Sequence, residues 1–100
     1  MDYKISHSSG GYLVELSGKM TYQDANKTDA ILNELKNKSS AAISFDMSRV
    51  EHMDSTALGF LVHVYDIAKE RGVPLTLKKP QPMVRKLLEN AAFEKILDVE

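Results

Sequence analysis

Two hydrophobic periods alternate along this chain, and that alternation constrains the fold more than any single residue does. "DYKISH" and "YLVELSG" carry Tyr3 and Ile5, then Tyr12, Val14 and Leu16, at every second position, the period of a strand with one buried face. "SSGG" between them is turn chemistry, so the pair is expected to form a hairpin. "TYQDANKTDAILNELKNK" then switches to the helical period. Thr21, with Asp24 three residues on, matches a helix-start signature. Ala25, Thr28, Ile31, Leu32 and Leu35 share one face of that helix, while Asn26, Asp29, Asn33 and Lys36 share the other. "AAISFDMS" is short, apolar and β-prone, and its place between two helical segments predicts an interior strand. "STALGFLVHVYDIAKERG" predicts a second helix stopped by Gly72. "VPLTLKK" predicts a further strand, with Pro74 near its start or on an edge. "PQPMVRKLLENAAF" predicts a third helix with Pro82 in its first turn and Met83, Val84, Leu87, Leu88 and Ala91 as its apolar stripe. "FEKILDVE" is expected to be a last short strand or a tail.

The order β-β-α-β-α-β-α, with an optional final β, implies parallel pairing through right-handed crossovers after an antiparallel opening. The expected fold is α/β: one domain over residues 1–100, a mixed sheet with helices packed on it. At 100 residues and 43% hydrophobic content the chain can bury a modest core. Its net charge of -1 provides no basic field, so direct nucleic-acid binding is not expected. The absence of cysteine excludes disulfides and thiolate chemistry. No apolar run is long enough to predict membrane insertion, and a soluble cytoplasmic protein is the default expectation.

The segment "VEHMDSTALGFL" carries the strongest functional signal. At 100° per residue from Ser55, residues Ala57, Leu58, Phe60, Leu61, Val62, Val64, Tyr65, Ile67 and Ala68 fall in an arc of roughly 120° to 340°. Ser55, Thr56, Gly59, His63, Asp66 and Glu70 fill the rest. Gly59 costs about 1 kcal/mol relative to alanine in a helix interior and packs nothing into the core. It leaves the backbone beside Ser55 bare, open to close approach by another molecule. The cluster also follows a predicted parallel strand, where open α/β sheets place their sites. Asp and Ser are ordinary helix caps, but a helix needs one cap, and Asp54, Ser55 and Thr56 supply three candidates. Met47 and Met53 flank the expected loop before Ser55, where one of them can offer a soft partner contact.

Catalysis is less well supported. Ser55 lacks the G-x-S-x-G elbow, and His7, His52 and His63 form no recognised triad order with it, so no catalytic residue is assigned. His52 and Asp54 have no metal-like neighbours, and His63 with Asp66 reads as a surface pair, so no metal site is expected. Walker A and G-x-G-x-x-G patterns are absent, and no cofactor is predicted. Lys78, Lys79, Arg85 and Lys86 read as a solvated basic face.

"SFDMSRVEHMDSTALGFLVHVYDIAKERGVPLTL" resembles the central signature of the STAS domain, as in bacterial anti-sigma factor antagonists. "LSGKMTYQDA" and "QPMVRKLLENAAFEKI" resemble the family's entry into its first helix and its final helix, so the resemblance covers nearly the whole chain. Its most specific element is Asp-Ser-(Ser/Thr)-(Gly/Ala)-Leu-Gly, matched by Asp54 through Gly59. The resemblance implies a regulatory binding module in transcriptional signalling rather than an enzyme. It implies that Ser55 is phosphorylated by a partner serine kinase that is itself the anti-sigma factor, with a histidine-kinase-like ATPase fold. A PP2C-type phosphatase would reset the switch. Asp54, Thr56, Gly59, Met53 and Val62 are then the expected partner-binding residues. The alternative within the family is a scaffold or accessory subunit, stressosome-like or ABC-transporter-associated, whose serine is never modified.

Overall fold

Alternating residues of the second strand set the layout. The structure, a computed structural model, describes residues 1–8, 10–37, 42–91 and 98–99. Strand β1 (Asp2–Ser8) and strand β2 (Gly11–Met20) pair antiparallel, with Ile5 opposite Val14. A single 3-10 turn (Tyr22–Asp24) leads into helix α1 (Ala25–Asn37). Strand β3 (Ala42–Met53), helix α2 (Ser55–Arg71), strand β4 (Leu75–Lys78), helix α3 (Pro82–Asn90) and strand β5 (Asp98–Val99) follow. The sheet order is β1-β2-β3-β4-β5, antiparallel at the first pair and parallel at the rest. This is the mixed α/β sheet expected, with β3 in its interior. The parts of the expected tail and third-helix end that fall within 92–97 lie outside the described residues.

Tyr12, Val14 and Leu16 on β2 are buried, as are Ile43, Phe45 and Met47 on β3 and Leu75 and Leu77 on β4. In register, Val14, Phe45 and Leu77 stand opposite one another across three strands. Ile31, Leu32 and Leu35 of α1, Phe60, Leu61 and Val64 of α2, and Val84 and Leu88 of α3 join the same core cluster. The alternate strand residues, such as Glu15, Ser44, Asp46 and Thr76, are exposed or half-buried, so the sheet keeps one face toward solvent. Phe45 and Phe60 meet edge to face at 5.9 Å between centroids, tying α2 to the central strand.

Strand β3 is longer than expected. It runs to Met53, so no loop precedes Ser55 and both Met47 and Met53 are buried. Two irregularities explain why the pattern hid this. Glu15 pairs with Asp46 but Ser17 with Arg49, and Gly18 pairs with Val50 but Lys19 with His52. Each step inserts one extra β3 residue, a bulge that reverses which parity points inward. The buried positions accordingly run 43, 45, 47, then 50, then 53.

Local chemistry fixes the connections. Gly11 has φ +143°, and a Cβ there would lie 2.1 Å from the Ala42 carbonyl oxygen, so β2 starts too close to β3 for any side chain. Gly72, at φ 66°, closes α2 in a left-handed turn, with its N–H donating to Lys69 O and the Val73 N–H to Ala68 O. The Arg71 guanidinium donates to the carbonyls of Leu35 and Lys36 and so satisfies the C-terminal end of α1. In α3 the apolar stripe is narrower than expected, because Val84 and Leu88 are buried while Met83 is 64% exposed and Ala91 is also exposed.

The capping box predicted at Thr21 and Asp24 is present, but it closes the 3-10 turn ahead of α1. The Thr21 N–H donates to Asp24 Oδ2 at 2.9 Å, and this bond is the main reason the Asp24 pKa lies below the ordinary carboxylate value. A carboxylate with a depressed folded pKa adds stability that is present at neutral pH and is lost as pH falls through the folded value. Asp46, lowered chiefly by the Ser48 backbone N–H, acts in the same direction. Asp24→Asn is therefore expected to reduce the loss of melting temperature on acidification from about pH 6 to about pH 2. An acid limb as steep as that of the wild type would refute the assignment.

Candidate functional site

The candidate segment begins where the central strand ends. Asp54 lies between β3 and α2 in extended geometry, at φ -100° and ψ -176°, and it alone caps the helix. Its Oδ1 accepts the Ala57 N–H at 3.0 Å. Its Oδ2 accepts the Tyr22 N–H at 2.9 Å, and its own N–H donates to the Met20 carbonyl at 3.1 Å. One carboxylate thus ties the start of α2 to the 3-10 turn that precedes α1, and the backbone of Asp54 ties both to the end of β2.

This arrangement frees the two residues that follow. Ser55 and Thr56 open the first turn of α2, both are exposed, and neither hydroxyl serves in the cap. Of the three residues expected to compete for capping, one does the work and two remain available to a partner. Asp54→Ala is expected to destabilise the fold by about 1–2 kcal/mol through loss of the cap. A denaturant midpoint within error of the wild type would contradict the double role given to this carboxylate.

Gly59 lies one turn beyond Ser55, exposed, and a Cβ added there would meet nothing within 4 Å. No internal contact requires glycine at this position. Gly59 instead helps line a groove of about 330 Å³ between α1 and α2, together with Ala25, Thr28, Leu32, Thr56 and His63. Ser55, Gly59 and Val62 follow one another at helical spacing, four and then three residues apart.

Two expected partner residues change standing. Met53 is 2% exposed and packs in the core, so its side chain offers a partner no surface; the second bulge turned it inward. Val62, placed on the apolar arc, is 40% exposed. On the same 100° count, the buried residues Ala57, Phe60, Leu61, Val64, Ile67 and Ala68 span only roughly 120° to 240°. Val62 falls at roughly 340°, at the edge of the arc next to Ser55, with Leu58 and Tyr65 half-buried between it and the core. His7, His52 and His63 are all exposed.

One residue of this region carried no sequence signal. Tyr22 is 67% exposed, and its backbone is held by the carboxylate beside Ser55. Tyr22 and Ser55 are 33 positions apart in sequence, and local patterning cannot relate them.

Comparison with known proteins agrees with this architecture. The family model for the STAS domain matches residues 3–100. An anti-sigma F factor antagonist of Paenibacillus polymyxa is 21% identical over 100 residues, covering 99% of this chain and 86% of that protein. Among solved structures, the anti-sigma factor antagonist SpoIIAA in its unphosphorylated form matches with a TM-score of 0.84 at 15% identity, over 99% of this chain and 88% of that one. The Bacillus cell fate determinant SpoIIAA in its phosphorylated form matches with a TM-score of 0.76 at 14% identity, over 99% of this chain and 91% of that one. At such identities the structural likeness establishes the fold.

Proposed function

The chain belongs to the STAS domain family, and from that premise we propose that it is an anti-sigma-factor-antagonist-like binding module switched by reversible phosphorylation of Ser55. The observation that carries the proposal is the division of labour at the start of α2. Asp54 caps the helix, and the Ser55 hydroxyl is left exposed with no structural duty. A partner serine kinase, acting also as the anti-sigma factor, transfers the γ-phosphoryl group of ATP to Ser55 Oγ, with ADP leaving and the hydroxyl proton lost. The unmodified module binds this partner, the phosphorylated module releases it, and a PP2C-type phosphatase restores the hydroxyl. Support comes from the resemblance of residues 54–59 to the family's signature, from the family match over residues 3–100, and from SpoIIAA, a protein of this fold solved in both unphosphorylated and phosphorylated forms.

The surface that meets the partner is assigned to Ser55, Thr56, Gly59 and Val62, with Asp54 as the residue that positions them. Gly59 matters here because a side chain at this exposed position, one turn beyond Ser55, would narrow the approach to the hydroxyl. The direct test is intact-mass and peptide mapping after incubation with purified histidine-kinase-like serine kinases of the source organism and ATP. One phosphate on Ser55 supports the assignment. Absence of phosphate on Ser55 with every such kinase, together with binding that ATP does not alter, would leave the constitutive scaffold as the better reading.

A further inference from the structure

We infer that Tyr22 is the anchor by which the partner of Ser55 is selected: its ring enters an apolar pocket of that partner and sets the strength of the encounter. The inference rests on the phosphorylation reading of Ser55 above and extends it to a residue from another part of the chain.

Four large apolar side chains are exposed among the described residues: Tyr3 at 38%, Val62 at 40%, Met83 at 64% and Tyr22 at 67%. Exposure alone distinguishes Tyr22 from none of them. What sets it apart is that its backbone N–H is held by the carboxylate that caps the helix carrying Ser55. The Tyr22 N–H donates to Asp54 Oδ2 at 2.9 Å, and the same carboxylate accepts the Ala57 N–H from the helix that carries Ser55. The residue before it, Thr21, is closed into a capping box, donating to Asp24 Oδ2 at 2.9 Å and accepting the Gln23 N–H at 3.3 Å. The Asp24 N–H closes the turn onto the Thr21 carbonyl at 3.0 Å. Met83 lies on the first turn of α3, whose cap residue Gln81 donates its side-chain amide to the Ser48 carbonyl at 2.8 Å, a tie to β3 and not to the Ser55 segment.

The physical consequence is pre-organisation. Binding through a side chain costs the freedom of that side chain and of the backbone carrying it. Here the backbone is fixed before the partner arrives, and a tyrosine ring has only two rotatable bonds left to order. Tyrosine is enriched among residues that dominate interface energies, because it buries a large flat area and keeps a polar end. The shared carboxylate also fixes the spacing between the backbone of Tyr22 and the first turn of α2. A partner that seats the ring therefore receives the Ser55 hydroxyl at a set distance and direction. Ser55 provides the chemistry common to a phosphoacceptor, and Tyr22 provides the means to tell one partner from another.

The test separates binding from chemistry. The serine kinase that modifies Ser55 in the mapping experiment is used, purified, with Mg-ATP, and initial rates are measured against varied concentrations of the full chain. Tyr22→Ala should raise KM for the protein substrate about tenfold or more and leave kcat within about twofold. Tyr22→Phe, which keeps the ring, should stay close to the wild type. The melting temperature of Tyr22→Ala should be unchanged, since the ring is exposed and the bond to Asp54 comes from the backbone. A KM for Tyr22→Ala equal to that of the wild type, with Ser55 still phosphorylated, overturns the anchor and leaves the Ser55 reading intact. A fall in kcat at constant KM overturns it as well, because an anchor acts on the encounter. Wild-type protein that no such kinase phosphorylates overturns the Ser55 reading itself, and the anchor with it.

Discussion

Leu61→Ala is expected to lower the free energy of unfolding by about 2–5 kcal/mol. Leu61 is fully buried, at the centre of the apolar arc expected from sequence and at the edge of the narrower arc that α2 buries. Removing its terminal carbons takes away their transfer free energy and leaves a cavity, because a close-packed core relaxes only in part. The neighbours here are constrained from several sides. Phe60 is engaged edge to face with Phe45, α2 is capped at both ends, and Arg71 joins its last turn to the end of α1. A helix held at both termini has little freedom to slide into the space, which favours the upper half of that range. Against a total stability on the order of 5–15 kcal/mol, the loss would be large. Chemical denaturation with an unchanged slope and a lowered midpoint is the expected result. A change under about half a kcal/mol would show that the buried arc has been drawn in the wrong place.

The element order and the three helices were legible because most of the elements carry a clear hydrophobic period. Strand β2 keeps its alternation from Tyr12 to Leu16 and α2 keeps a stripe over its 17 residues, whereas in β1 Tyr3 is exposed and Ile5 only half-buried. The second half of β3 was not legible, and the reason is specific. A bulge keeps a strand a strand while reversing its parity, so the segment after Ser48 stops looking periodic although it remains paired with β2. That one effect turned Met53 from an expected surface contact into a core residue. The exposure of Val62 and Met83 reflects a different limit. An apolar arc drawn from sequence includes every apolar residue, and only the structure shows how much of the arc its neighbours cover. Residues 54–59 form one compact sequence signature, and the structure places them just beyond a parallel strand, as expected. The second role of Asp54 and the position of Tyr22 depend on a bond spanning 32 residues, which no local pattern encodes.

Phosphorylation of Ser55 is expected to weaken binding to the partner kinase by roughly a hundredfold, equivalent to about 3 kcal/mol, and to leave the fold nearly unchanged. The two halves of that expectation come from the same place in the structure. Ser55 is the first residue of α2, where unsatisfied amides and the positive end of the helix dipole favour added negative charge. A phosphate brings roughly -1.5 to -2 charges at neutral pH. Adjacent Asp54 opposes it, but that carboxylate is already engaged by two backbone N–H groups, so the repulsion offsets the gain without breaking the cap. Melting temperature and circular dichroism should therefore change little. At a docking surface the same charge has to be desolvated or set against the partner, and the bare backbone at Gly59 supplies no side chain to neutralise it. Ser55→Asp carries less charge and should reproduce the loss of affinity in weaker form. Ser55→Ala should fold, bind, and fail to release when ATP is added. Thr56→Ala should still be phosphorylated, because the phosphoacceptor is Ser55 and the exposed Thr56 side chain contributes to docking alone. Mass mapping with a quantitative pull-down on each variant decides the matter. Phosphate on Thr56 in place of Ser55, or undiminished binding by the phosphorylated protein, would sink the switch, because each would mean that charge at Ser55 does not control the docking surface.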